Sequence, residues 1–152
     1  MIRSFSVALA LGVVTISCAK DETPFTPPQV TVAPHLLVPQ VGDTIPQNDP
    51  TIGCAFDSVG GYGFSVPFSW SPVPGATAYH LVLHHTGSQF PALDLVVTDT
   101  AFAYSFCNSY VIDANLHDWR WTVAGVSDTD ADGPFAAEGS YEFEPMVFPP
   151  QP

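Results

Sequence analysis

Apolar and small or polar residues alternate with a period of two through most of the middle of the chain. Phe64-Ser-Val66-Pro-Phe68-Ser-Trp70 shows the pattern first, and Tyr79-His-Leu81-Val-Leu83-His repeats it after the turn Ser71-Pro-Val-Pro-Gly75. Leu93-Asp-Leu95-Val-Val97, Phe102-Ala-Tyr104-Ser-Phe106, Trp119-Arg-Trp121-Thr-Val123-Ala and Tyr141-Glu-Phe143-Glu follow. Side chains on a strand point alternately to its two faces, so each run predicts a strand with one buried side. No stretch has helical spacing, and Gly and Pro fall between the runs. Short strands separated by turn signals predict an all-β, antiparallel sandwich.

The ends of the chain break this pattern. Arg3 precedes an apolar run from Ser4 to Ile16, which ends at Ser17-Cys18. A charge, a dozen apolar residues and a small residue form the grammar of a secretory signal, too short for a membrane span of roughly 20 residues. Thr15-Ile16-Ser17-Cys18 resembles the lipobox of bacterial lipoproteins, with Thr15 where Leu is commonest. The resemblance implies a signal peptide over residues 1–17, acylation (palmitate among the chains) of Cys18, and a lipid anchor in the outer membrane. Lys20-Asp21-Glu22 resembles a surface-export signal, set against the reading of an ordinary charged linker. Seven prolines between Thr23 and Pro50 predict an extended tether, taken as residues 18–35. Four of the last eight residues are proline, so 145–152 reads as a tail outside the sheet. The folded domain is thereby expected over 36–144.

Charge narrows the partners. The 15 acidic residues face 3 basic ones, and Arg3 leaves with the signal. Lys20 and Arg120 then remain on a surface that repels phosphate backbones, which argues against nucleic acid. At 46% hydrophobic residues the chain is far from the composition of disordered proteins.

Three segments resemble a known family. Leu37-Val-Pro39-Gln-Val-Gly42-Asp-Thr-Ile45 is similar to the proline-broken first strand of fibronectin type III-like domains in bacterial surface proteins. Phe68-Ser-Trp70-Ser-Pro72-Val-Pro74-Gly75-Ala-Thr-Ala-Tyr79 resembles their second strand, turn and third strand. Trp119-Arg-Trp121-Thr-Val123-Ala-Gly125 resembles the sixth, and Asp130-Ala-Asp132-Gly133 the acidic turn before the last. The resemblance implies an immunoglobulin-like sandwich of about seven strands that binds, spaces or adheres. The segment Gln47 to Tyr62 departs from it as a longer, Gly- and Cys-containing insertion.

With Cys18 acylated, Cys54 and Cys107 remain as an even pair in an oxidising compartment, which reads as a disulfide. It would close a loop of about 53 residues, contributing roughly 3–4 kcal/mol in the chain-entropy model. A metal site is the alternative, without a Cys-x-x-Cys unit to support it. Asp128-Thr-Asp130-Ala-Asp132-Gly133 carries oxygens at alternate positions before a glycine, like the first half of a calcium loop. Position 12 of such a loop is Gly139 here, and an acidic hairpin turn accounts for the same residues. Calcium is therefore the one cofactor the sequence raises.

His80 and His84 share the outward parity of their strand, with His85 and His117 near its end. They read either as exposed side chains or as two zinc ligands short of a site. No Gly-x-Ser-x-Gly or His-Glu-x-x-His motif is present, so no enzyme is expected. Tyr62, in a glycine loop, is a candidate for stacking on a sugar ring or for plugging the sandwich end. The expectation is a non-catalytic surface lipoprotein for adhesion, assembly or binding, with an envelope protein or glycan as partner. The second reading is an accessory carbohydrate-binding lipoprotein of an outer-membrane uptake system.

Overall fold

The structure is a computed structural model that describes residues 28–47, 63–107 and 110–146. Cys18, Lys20, Asp21, Glu22, Cys54 and Tyr62 lie outside the described residues, as do residues 1–17 and 147–152. Nine strands follow one another: β1 (Leu36–Val38), β2 (Asp43–Ile45), β3 (Gly63–Trp70), β4 (Ala78–His85), β5 (Leu93–Val97), β6 (Ala101–Cys107), β7 (Trp119–Val126), β8 (Asp132–Phe135) and β9 (Gly139–Phe143). A 3-10 turn, Asp113–Asn115, precedes β7. Among the described residues no helix is long and apolar enough to cross a membrane.

The strands form two sheets, β1-β3-β6 and β2-β9-β7-β4-β5, with β8 also on β7. A constant-type immunoglobulin domain adds its fourth strand to the first sheet. Here that strand, β5, pairs β4 in the second sheet instead. The result is the fibronectin type III-like form of the sandwich.

The six period-two runs fall on strands, and their apolar parity is the more buried one except at Phe106, which is exposed. Leu81 and Leu83 on β4, Val66 and Phe68 on β3, and Trp121 and Val123 on β7 are essentially inaccessible to solvent. The indole of Trp121 meets Phe68 edge-on at 5.0 Å and Trp70 at 6.5 Å, tying the two sheets together. Trp70 in turn packs on Tyr79 at 5.6 Å. Burying each such side chain is worth about 1.5–3 kcal/mol, so this aromatic centre contributes substantially to stability.

Two strands beyond the expected seven come from breaks at the edges. The single first strand read over Leu37–Ile45 is two strands on different sheets. β1 pairs β3, while β2 pairs β9 in parallel, a departure from an all-antiparallel pattern. Pro39 has no amide to donate, and Gly42 at φ 90 turns the chain, closed by Asp43 N donating to Gln40 O at 3.0 Å. The last strand is likewise divided. β8, containing Pro134, pairs β7 with a register shift, and β9 then pairs β7 at its other end.

The stretch read as tether is not all tether. Val30 is only 8% exposed and Pro34 is buried, so the chain packs on the domain before residue 36. Gln47, read as the start of the insertion, is a buried staple. Its Nε2 donates to Val111 O at 3.2 Å and to Glu144 O at 2.6 Å, and its Oε1 accepts from Val111 N.

Candidate functional site

The β3 start and the β4, β6 and β7 ends that share one end of the sandwich carry aromatic residues that the core does not fully absorb. Trp119, the first residue of β7, is half-buried, and its indole N–H donates to Asn115 O at 2.7 Å. That bond fixes the ring to the 3-10 turn. Trp119 stacks on Tyr141 at 6.3 Å and 18°, and meets His85 and Phe143 edge-on at 5.4 and 5.7 Å. Phe64 extends the set, packing on Phe143 at 5.0 Å and Phe106 at 5.6 Å.

Two shallow clefts meet at Trp119 and Asn115. One is lined by Phe64, Tyr104, Phe106, Tyr110, Val111 and Ile112, the other by His85, Gly87, Ser88, Phe90, Pro91 and Ala92. Phe90 is the most exposed aromatic among the described residues, at 76%. Its loop is built to hold it there. Ser88 Oγ donates to Phe90 O at 2.8 Å and accepts from Phe90 N at 3.2 Å, while Ser88 N donates to His85 O at 2.8 Å. Gly87 N donates to His85 Nδ1 at 3.1 Å, which makes that nitrogen an acceptor. The sequence reading missed Phe90, although an aromatic among Gly, Ser and Pro is the signal that singled out Tyr62.

The ledge offers apolar contact with a polar rim of Asn115, Ser88 and His85, and among the described residues no fixed cation lines either cleft. Such a surface suits a neutral ligand that presents a flat apolar face.

The histidines and acids are arranged differently from a metal centre. His80 Nε2 lies 2.7 Å from Asp94 Oδ1, and its Nδ1 lies 2.9 Å from Asp132 Oδ2. His84 approaches Glu138 at 3.7 Å and His117 contacts Glu142 at 2.8 Å. Both His80 and His84 do face outward, yet each is half-buried and engaged with a carboxylate. Among the described residues no group of three His, Cys, Asp or Glu comes together to hold a metal ion.

That holds for the acidic turn as well. Ser127 N donates to Ala131 O and Asp130 N to Ser127 O, with Asp130 at φ 58. Asp132 turns away to His80, so Asp128, Asp130 and Asp132 do not converge as calcium ligands. The glycine of the motif, Gly133, is needed for space rather than for a left-handed turn, because Val30 packs against it.

Cys107 closes β6 opposite Gly63 and is not a free thiol. No family model matches the chain, and no curated protein matches it. A solved structure described as an Fn3-like protein from Clostridium thermocellum is similar to it at 14% identity and a TM-score of 0.39, over 76% of this chain and 99% of that one.

Proposed function

We propose that this chain is a non-catalytic, surface-exposed lipoprotein whose sandwich serves adhesion, assembly or binding through the aromatic ledge. The observation that carries the binding role is Phe90, 76% exposed beside Trp119 on a loop that Ser88 holds in place. A displayed aromatic on an ordered support loses little conformational entropy when a partner covers it. The anchor is supported by the Thr15-Ile16-Ser17-Cys18 pattern and the outward address by Lys20-Asp21-Glu22. The position of Cys107, at the end of β6 and bonded rather than free, supports its pairing with Cys54.

Labelling cells with a palmitate analogue tests the anchor: the chain takes up label, and Cys18→Ala abolishes it. Protease treatment of intact cells tests the outward address, with degradation expected and full protection counting against it.

The ledge also favours the second reading, a glycan-binding accessory of nutrient uptake. Pyranose rings stack on aromatic faces through their apolar C–H surfaces, and the shortage of cations disfavours anionic ligands. Affinity electrophoresis through gels containing neutral polysaccharides separates the two readings. Retardation lost in Phe90→Ala selects the glycan, and unchanged mobility across the panel selects a protein partner.

A further inference from the structure

We infer that His80 is a proton-operated latch that ties the edge strand β5 to the start of β8. The geometry favours one charge state. Two carboxylates occupy the two ring nitrogens of one imidazole, Asp94 on Nε2 at 2.7 Å and Asp132 on Nδ1 at 2.9 Å. A neutral imidazole has one N–H and one lone pair, so one of these oxygens would face a lone pair. Only the doubly protonated ring donates to both.

The two carboxylates belong to strands at the margin of the sheet. β5 is an edge strand bonded to β4 alone, and β8 is a four-residue strand with a shifted register on β7. The latch crosses β7 because the residue opposite His80 there is Ala124, small enough to leave the ring a path. On the other side His80 faces Val96, and Asp94 reaches it along the diagonal from its own pair with Val82. Phe135 of β8 covers the ring edge-on at 5.4 Å.

Among the described residues, Asp132 and Asp94 are the charges that act on the ring. Asp128 and Asp130 lie in the turn before β8 and add only negative charge. Arg120 of β7 sits opposite His84, four residues along β4 and thus roughly 13 Å from His80. His84 is engaged with Glu138, and His117 with Glu142. Partial burial alone would lower the basicity of His80, but the bonds and charges of Asp132 and Asp94 outweigh it and raise the value above 6.5.

The sign follows from that direction. A group with a raised folded value contributes fully below its unfolded value of about 6.5 and loses that contribution as pH rises through the folded one. The latch is therefore shut in mildly acidic surroundings and released towards the alkaline side. Release frees β5, whose outer edge can then fray or accept another strand.

The test is an NMR titration of the histidine rings in the full chain, beside thermal unfolding at pH 6 and pH 9. His80 is expected to titrate above 6.5, with its midpoint lowered in both Asp94→Asn and Asp132→Asn. The melting temperature is expected to fall from pH 6 to pH 9, by less in His80→Gln. A midpoint at or below 6.5, a midpoint unmoved in both asparagine variants, or the same thermal profile in His80→Gln would each overturn the latch. The three positions are half-buried or exposed, so these variants remain folded enough to read.

Discussion

Val30 and Gly133 sit so close that a Cβ on Gly133 would lie 2.5 Å from Val30 Cγ1 and 3.0 Å from the Val30 carbonyl oxygen. Gly125 presses on the same valine from β7, where an added Cβ would lie 3.0 Å from it. Two glycines thus form a socket for a residue that precedes the first strand. Gly133→Ala is expected to cost about 1–3 kcal/mol through overpacking, and Val30→Ala a similar amount through lost burial. The double variant should cost less than the two together, since trimming the valine makes room for the new methyl. Chemical denaturation of all four proteins closes the cycle, and strict additivity would refute the socket.

Gln47 is the second place where one side chain holds distant segments. Gln47→Ala leaves the Val111 amide and the Val111 and Glu144 carbonyls without their bonds, at an expected cost of about 2–3 kcal/mol. Gln47→Glu should be no better. A carboxylate can accept from Val111 N, but it repels the two carbonyl oxygens. Denaturant midpoints read both, and a midpoint shared with the parent would remove the staple.

Tyr141 and Tyr79 predict opposite responses to the same substitution. The Tyr141 hydroxyl is buried without a hydrogen-bond partner, and that burial, with the neighbouring Tyr104, pushes its ionisation far above the usual phenol range. Tyr141→Phe should therefore stabilise the domain by about 1 kcal/mol. The Tyr79 hydroxyl accepts from Val73 N at 3.3 Å, so Tyr79→Phe should destabilise by about 1 kcal/mol. Paired melting curves of the two variants decide it, and a shift of the same sign in both would contradict this account.

The turn after β7 predicts a conformational rather than an ionic role for Asp130. At φ 58 it occupies the left-handed region that glycine prefers. Asp130→Ala is expected to cost about 1 kcal/mol, and Asp130→Gly less. Millimolar calcium should leave the melting temperature of the parent unchanged. A calcium-dependent rise abolished in Asp130→Ala would restore the ion-binding reading.

The sequence carried the sandwich well because alternation is local and its parity has one physical meaning. Phe68, Leu81 and Trp121 could be placed inside from their neighbours alone. Features that depend on distant partners were not legible. Gln47 looks like any loop residue until Val111 and Glu144 are beside it, and Gly133 looks like a turn glycine until Val30 fills the space above it. The outward parity of His80 was readable, but the two carboxylates reaching it come from β5 and β8, 14 and 52 residues away. Phe90 was missed for a different reason: exposure of an aromatic is visible only once the rest of the surface exists.

The Val30 socket and the aromatic ledge also give the domain a direction. β7 runs from Trp119 at the ledge to Gly125 beside Val30 and ends at Val126, eight residues spanning roughly 23 Å. The chain therefore comes in at one pole, and the ledge lies at the other. With the anchor proposed at Cys18, the membrane side and the contact side of the domain would be opposite ends of a single strand. Phe90 and Trp119 are then the part of the domain held farthest from where Val30 seats the incoming chain.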